Sequence, residues 1–316
     1  MRVVIHAGTH KTGTTALQAT LATRDSAREG PVFYPASCRG PGPGHQQLAW
    51  ELLADPRHDP RRGTLAGLVA EMSARRAALS IVSAEGLQLL HADPGALRAL
   101  EAALRSGGFT TDVVMYVRRR DHYAAALYAQ LVLHRSLSLP FDAFMEAVLD
   151  SASFTHRGQT FRFAYADLAA CFDDVFTPER VHLRAYVEGA EPQALVRDFL
   201  ASVGADPAPF ETAAAGIGRL HERAGIRRVA HELRSNAGTL PDERFHPIDA
   251  GYARRLRERF ASDDERIAAR FGVAWPHDAP GEAHASAERG ARHLALLRAA
   301  EDTRAATKPA VAPRRL

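Results

Sequence analysis

Cysteine is nearly absent from this chain: 316 residues carry two, Cys38 and Cys171. With no metal-type spacing around them, neither a disulfide framework nor a zinc site is indicated. Long hydrophobic runs are missing as well. No apolar stretch approaches the ~20 residues of a membrane-spanning helix, so no span is expected. An excess of one charge is also lacking. Lys+Arg 40 against Asp+Glu 37 gives +3, too balanced for a dedicated nucleic-acid binder. The pI near 9.1 fits an anionic ligand, although Arg304, Lys308, Arg314 and Arg315 place much of the excess in the tail. The first strand begins at Val3 and leaves no room for a leader, so a cytoplasmic, reduced protein is the expectation. What is present is ordinary for a globular chain: 46% hydrophobic and 24% charged residues. The length suffices for one large α/β domain with extra helices, or one domain with a small appendage.

Apolar runs at 3–5, 79–83, 112–117 and 180–186 read as strands, with a brief extended piece at 32–35 and a weak one at 160–163. The run Val113 to Val117 is unbroken, as in a strand covered on both faces. Helical spacing separates them at 14–23, 46–53, 64–78, 94–104, 121–131, 166–172 and 192–203. Strands alternating with helices predict an α/β fold, a mostly parallel central sheet flanked by helices, with a helical C-terminal part at 219–235, 250–260 and 263–271. The division expected is a single α/β domain over 1–275 and an Ala/Arg-rich tail over 276–316. Within that tail 285–306 is helical and 307–316 disordered.

The chemistry concentrates where the first strand ends. Val3 to Ile5 runs into a loop bounded by Gly8 and Gly13, and a helix opens at Thr14 or Thr15. A strand, a glycine-bounded turn and a helix N-terminus aim backbone N–H groups and the positive helix dipole at one point, an anion cradle. Lys11 adds a full charge, Thr12, Thr14 and Thr15 add hydroxyls, and His10 serves as a positioning residue. Gly8 and Gly13 keep the Gly-x4-Gly spacing of a nucleotide-triphosphate loop, but Thr14 stands where such a loop needs Lys. Ser83-Ala84-Glu85 offers one carboxylate where Mg²⁺ would need more. The loop therefore suits a mononucleotide with a 5′ anion whose transfer needs no metal.

His6-Ala7-Gly8-Thr9-His10-Lys11-Thr12-Gly13-Thr14-Thr15-Ala16-Leu17-Gln18 resembles the first motif of the PAPS-dependent sulfotransferases, in particular their bacterial branch. The resemblance implies a P-loop-like fold and PAPS (3′-phosphoadenosine 5′-phosphosulfate) as sulfonyl donor, with no metal. Gly8 to Thr15 would hold the 5′-phosphosulfate, and Lys11 would contact the oxygen bridging phosphorus and sulfur. A second match runs from Tyr116 to Gln130. Arg118 fits the family's 3′-phosphate arginine, and Ala126 replaces a serine expected eight residues later, a loss for which Arg119 or Arg120 would compensate. Glu85 or His45 would be the general base. The acceptor would be a small molecule or glycan: a saccharide, glycolipid or secondary metabolite, walled by 38–45 and 219–271. Two other classes stay open, a non-catalytic nucleotide-binding protein and a P-loop small-molecule kinase.

Overall fold

The computed structural model describes residues 1–24, 30–188, 191–217, 229, 232, 245–275 and 280–307. Five strands form one all-parallel sheet: β1 (Arg2–His6), β2 (Val32–Phe33), β3 (Leu79–Ser83), β4 (Thr110–Val117) and β7 (Val181–Ala185), in the order β2-β3-β1-β4-β7. β1 sits in the middle, with Ile5 registered against Val82 on one side and Val113 on the other. Two further short strands are β5 (Ser153–His156) and β6 (Gln159–Arg162).

The helices are α1 (Thr14–Arg24), α2 (Gln46–Leu52), α3 (Leu65–Arg75), α4 (Pro94–Ser106), α5 (Arg120–Arg135), α6 (Phe141–Ser151), α7 (Tyr165–Phe176), α8 (Pro192–Ser202), α9 (Ala208–Ile217), α10 (Ala250–Phe271) and α11 (Pro280–Thr307). A 3₁₀ segment, Glu85–Ala92, follows β3. The α/β sheet expected from the sequence is present. The stretches 250–260 and 263–271 form the one helix α10, while α6 and α9 were not anticipated. Nearly all of the helix expected at 219–235, and the tail at 308–316, lie outside the described residues.

The chain forms two compact units, each assembled from three stretches. The first takes Met1–Arg119, Gly158–Glu222 and Ser262–Trp275; the second takes Arg120–Arg157, Arg223–Ala261 and Pro276–Leu316. The sheet belongs to the first. Period-two alternation sends Val4, Val114 and Tyr116 to one face, where α1, α8 and α9 bury Leu17, Leu21, Phe199, Leu200 and Phe210 against them. α4 and α7 lie against β4 within the same unit. With both faces covered, the sheet strands are buried along nearly all their length, which is why β4 reads as a continuous apolar run.

In the second unit, Tyr128, Phe141, Phe144, Phe154 and Phe245 form a chain of ring contacts. α11 is part of this core and buries Leu294, Leu297 and Ala300. Its Glu301 accepts from the Phe141 N–H at 2.8 Å and from the Tyr128 hydroxyl at 3.1 Å. Among the described residues no helix is long and apolar enough to cross a membrane.

Candidate functional site

Because β3 and β4 flank β1 on opposite sides, the chain reverses its direction of travel across the sheet at β1. Ligands of open α/β sheets bind outside the carboxyl ends of the strands at such a point. Here β1 delivers the loop 7–13, β3 delivers Glu85, β4 delivers Arg118 and β7 delivers Tyr186 and Glu188, all in the first unit.

The loop is fastened to β4 by its backbone. Ala7 N–H donates to the Val114 carbonyl and Thr9 N–H to the Tyr116 carbonyl, both at 3.0 Å. The Thr9 hydroxyl reaches the same Tyr116 carbonyl at 3.0 Å, and the Thr12 hydroxyl folds back to the Thr9 carbonyl at 2.7 Å. Lys11 and Gly13 take left-handed conformations, with φ of 69° and 75°. Only glycine suits the second position, since a Cβ there would sit 2.7 Å from Leu195 Cδ2 as well as strain the backbone. Ala16 N–H then donates to the Gly13 carbonyl at 3.0 Å and α1 begins. The first N–H groups of that helix, at Thr14 and Thr15, have no intrahelical acceptor, and they carry the positive end of the dipole towards the loop.

Beneath the loop lies a buried polar trio that sequence reasoning quoted only as motif residues. His6 Nδ1 lies 2.8 Å from Ser83 Oγ, and Gln18 Nε2 donates to both the Ser83 hydroxyl and carbonyl at 3.2 Å. The trio ties β1, β3 and α1 together under Gly8, where an added Cβ would meet His6 Nε2 at 3.0 Å. Burial depresses the His6 pKa to about 3, so the ring is neutral. Its Nε2 has no hydrogen-bond partner among the described residues.

Arg118 is buried against the loop. Its Nη1 donates to the Lys11 carbonyl at 3.3 Å, its Nε donates to the Glu188 carboxylate, and the guanidinium lies 5.8 Å from the Tyr186 ring centroid. Tyr165 fixes the backbone here by donating to the Arg118 carbonyl at 2.7 Å. The structure thus brings Lys11 and Arg118 together. Arg119 follows on the same turn, half-buried. Arg120 belongs to the second unit, its guanidinium 4.6 Å from the Phe260 ring centroid. Ala126 lies on α5, also in the second unit.

Glu85 opens the 3₁₀ segment directly after β3 and is half-buried. His45 precedes α2 and is fully buried. Its Nδ1 accepts the Ser83 N–H at 3.1 Å and its Nε2 lies 3.0 Å from the Pro35 carbonyl, so the tautomer carries its proton on Nε2. Burial, reinforced by Arg39, lowers its pKa to about 4. His10 is buried with Nδ1 2.8 Å from Gln88 Nε2 and its ring edge-to-face with Phe161. The loop 7–15 with Arg118 therefore gathers backbone donors, hydroxyls and cations at the carboxyl ends of two adjacent strands, β1 and β4.

No family model matches the chain, and no curated protein matches it. Among solved structures it is similar to the crystal structure of a sulfotransferase from Alicyclobacillus acidocaldarius, with 16% identity and a TM-score of 0.51 over 87% of this chain and 97% of that one. At that identity the likeness shows a shared fold.

Proposed function

We propose that the chain is a PAPS-dependent sulfotransferase that moves the sulfonyl group of PAPS to a hydroxyl or amine of a small-molecule or glycan acceptor. The observation that carries the reading is the contact of Arg118 with the Lys11 carbonyl, since one nucleotide anchored at both its phosphates needs a cation close to the loop. In this reading the loop N–H groups with the Thr14 and Thr15 hydroxyls hold the 5′ end, Thr12 braces the loop through its bond to the Thr9 carbonyl, and Arg118, aided by Arg119, holds the 3′-phosphate. Gly8, His10 and Gly13 shape the loop. The acceptor oxygen or nitrogen attacks sulfur, the bond from sulfur to the bridging oxygen breaks, and adenosine 3′,5′-bisphosphate leaves. Lys11 stabilises the charge that grows on that bridging oxygen.

Glu85 takes the acceptor proton. Of the two bases raised by the sequence it is the one with solvent access, whereas both nitrogens of His45 are engaged by the backbone. His45 then serves to fasten the 38–45 loop to β3. Glu188 holds Arg118 until the 3′-phosphate takes its place, so donor binding exchanges one anion for another.

Lys11→Ala is expected to lower turnover of labelled PAPS by about 10²- to 10³-fold, the cost of losing one transition-state donor. Calorimetry should find binding of adenosine 3′,5′-bisphosphate that weakens in Arg118→Ala. Binding of ATP with Mg²⁺ and none of the bisphosphate would overturn the reading. Ala126, in place of a serine, favours a second reading as a non-catalytic nucleotide binder; bisphosphate binding without turnover across an acceptor panel would establish that instead.

A further inference from the structure

The second unit carries a group that the proposed transfer chemistry does not use. Asp121 and His122 lie in the first turn of α5, and His246 lies in the segment 245–249 that leads into α10. One ligand-type atom from each falls within 4.8 Å of the other two. The His122 and His246 rings have centroids 5.2 Å apart at 81°. Two imidazoles sharing one tetrahedral ion through ~2.1 Å bonds place their centroids about 5 Å apart, so the ring pair already has the spacing of ligands on one ion. Ligation closes the donor separations to about 3.4 Å, a movement that side-chain torsions can supply.

The donors are also supported from behind. Asp121 Oδ1 accepts the His122 N–H at 2.8 Å, which fixes the carboxylate at the helix start, while Oδ2 lies 4.0 Å from His122 Nε2. The His246 N–H donates at 3.1 Å to Nδ1 of the fully buried His293 on α11. Gly290, one turn earlier on α11, lies so close to the same segment that an added Cβ would be 1.8 Å from the Ile248 carbonyl oxygen. His246 is thus presented on a backbone held by α11.

We propose that Asp121, His122 and His246 form a binding site for a divalent transition ion of the Zn²⁺ class. Two imidazoles and one carboxylate are the ligand set that borderline ions prefer over Mg²⁺ or Ca²⁺, and three protein ligands leave a fourth position for water or another ligand. The ion joins the start of α5 to the 245–249 segment and stabilises the second unit by binding its folded form.

The test uses the full chain, stripped with chelator and titrated with Co²⁺ and then Zn²⁺, read by visible absorption, calorimetry and melting. The expected result is one equivalent of Co²⁺ giving the intense bands of a four-coordinate ion, displaced by one equivalent of Zn²⁺, with a rise in Tm of a few degrees. His122→Ala and His246→Ala should each lower affinity by at least about tenfold, and Asp121→Asn should weaken it. His58→Ala, in the first unit, should leave it unchanged. If His246→Ala does not fold, His122→Gln, a polar replacement at a half-buried position, carries the same expectation. Absence of saturable 1:1 binding, or binding that survives both histidine substitutions, would overturn the site, whatever the outcome with PAPS.

Discussion

Two imidazoles in the first unit are held neutral by burial, His6 with a pKa of about 3 and His45 with one of about 4. An unfolded chain protonates both near the ordinary 6.5. Each ring therefore takes up a proton on unfolding once the pH is below 6.5, and its contribution to stability, complete above that value, is lost as the pH falls towards the folded value. Between pH 6 and 4.5 each should lower stability by about 1.4 kcal/mol per pH unit. Urea melts at half-unit intervals should show this slope, and His45→Gln should remove about one ring's share of it; an unchanged slope would mean that His45 is not the buried neutral group described. The residue scale is also where sequence reading was least complete. The placement of Lys11 and Gly13 in the loop and of Arg118 at a strand end was legible because both are local patterns. The trio of His6, Ser83 and Gln18 was not, because its members stand 12 to 77 residues apart and meet only when β1 and β3 pair.

Whole elements were legible wherever their signals lie in their own sequence. β4 announced itself by an unbroken apolar run and α4 by its helical spacing over 94–104, a helix that Asp93 caps locally by accepting from the Gly95 and Ala96 N–H groups. α6 follows Pro140 with no local side-chain cap, and its first N–H is instead accepted by Glu301, 160 residues away. α7 is likewise started by Asp263, which accepts from the Tyr165 and Ala166 N–H groups at 2.8 and 3.0 Å. Caps borrowed from distant helices leave no trace near the element they begin. α11 was expected as a helix over 285–306, but its tail-like composition gives no sign that its Gly290 abuts a backbone carbonyl. Gly290→Ala should therefore destabilise the protein by about 1–3 kcal/mol through overpacking, although alanine is the better helix former. A denaturant midpoint equal to or above that of the unsubstituted protein would contradict the close approach.

At the scale of the molecule, each unit is assembled from three separated stretches, and β1 pairs with strands that begin about 80 and 110 residues later. No cut at a single point frees a complete unit. A fragment spanning 1–157 lacks β7, α8 and α9 from the first unit and α11 from the second, and it should fail to give the dispersed NMR spectrum of a folded domain. A well-dispersed spectrum from it would show that the units are less interdependent than their composition requires. The net charge of +3 over 316 residues draws anions only weakly from a distance. In the proposed reading, discrimination among them falls to the strand edge, where Arg118 is already engaged by Glu188. A tethered carboxylate competes at an effective concentration of about millimolar or more. Chloride or a single carboxylate brings no more charge than it displaces, whereas a phosphate dianion does. In the proposed reading the ion pair would act as a threshold in valence, keeping the edge silent towards abundant monovalent solutes and opening it to a more highly charged ligand.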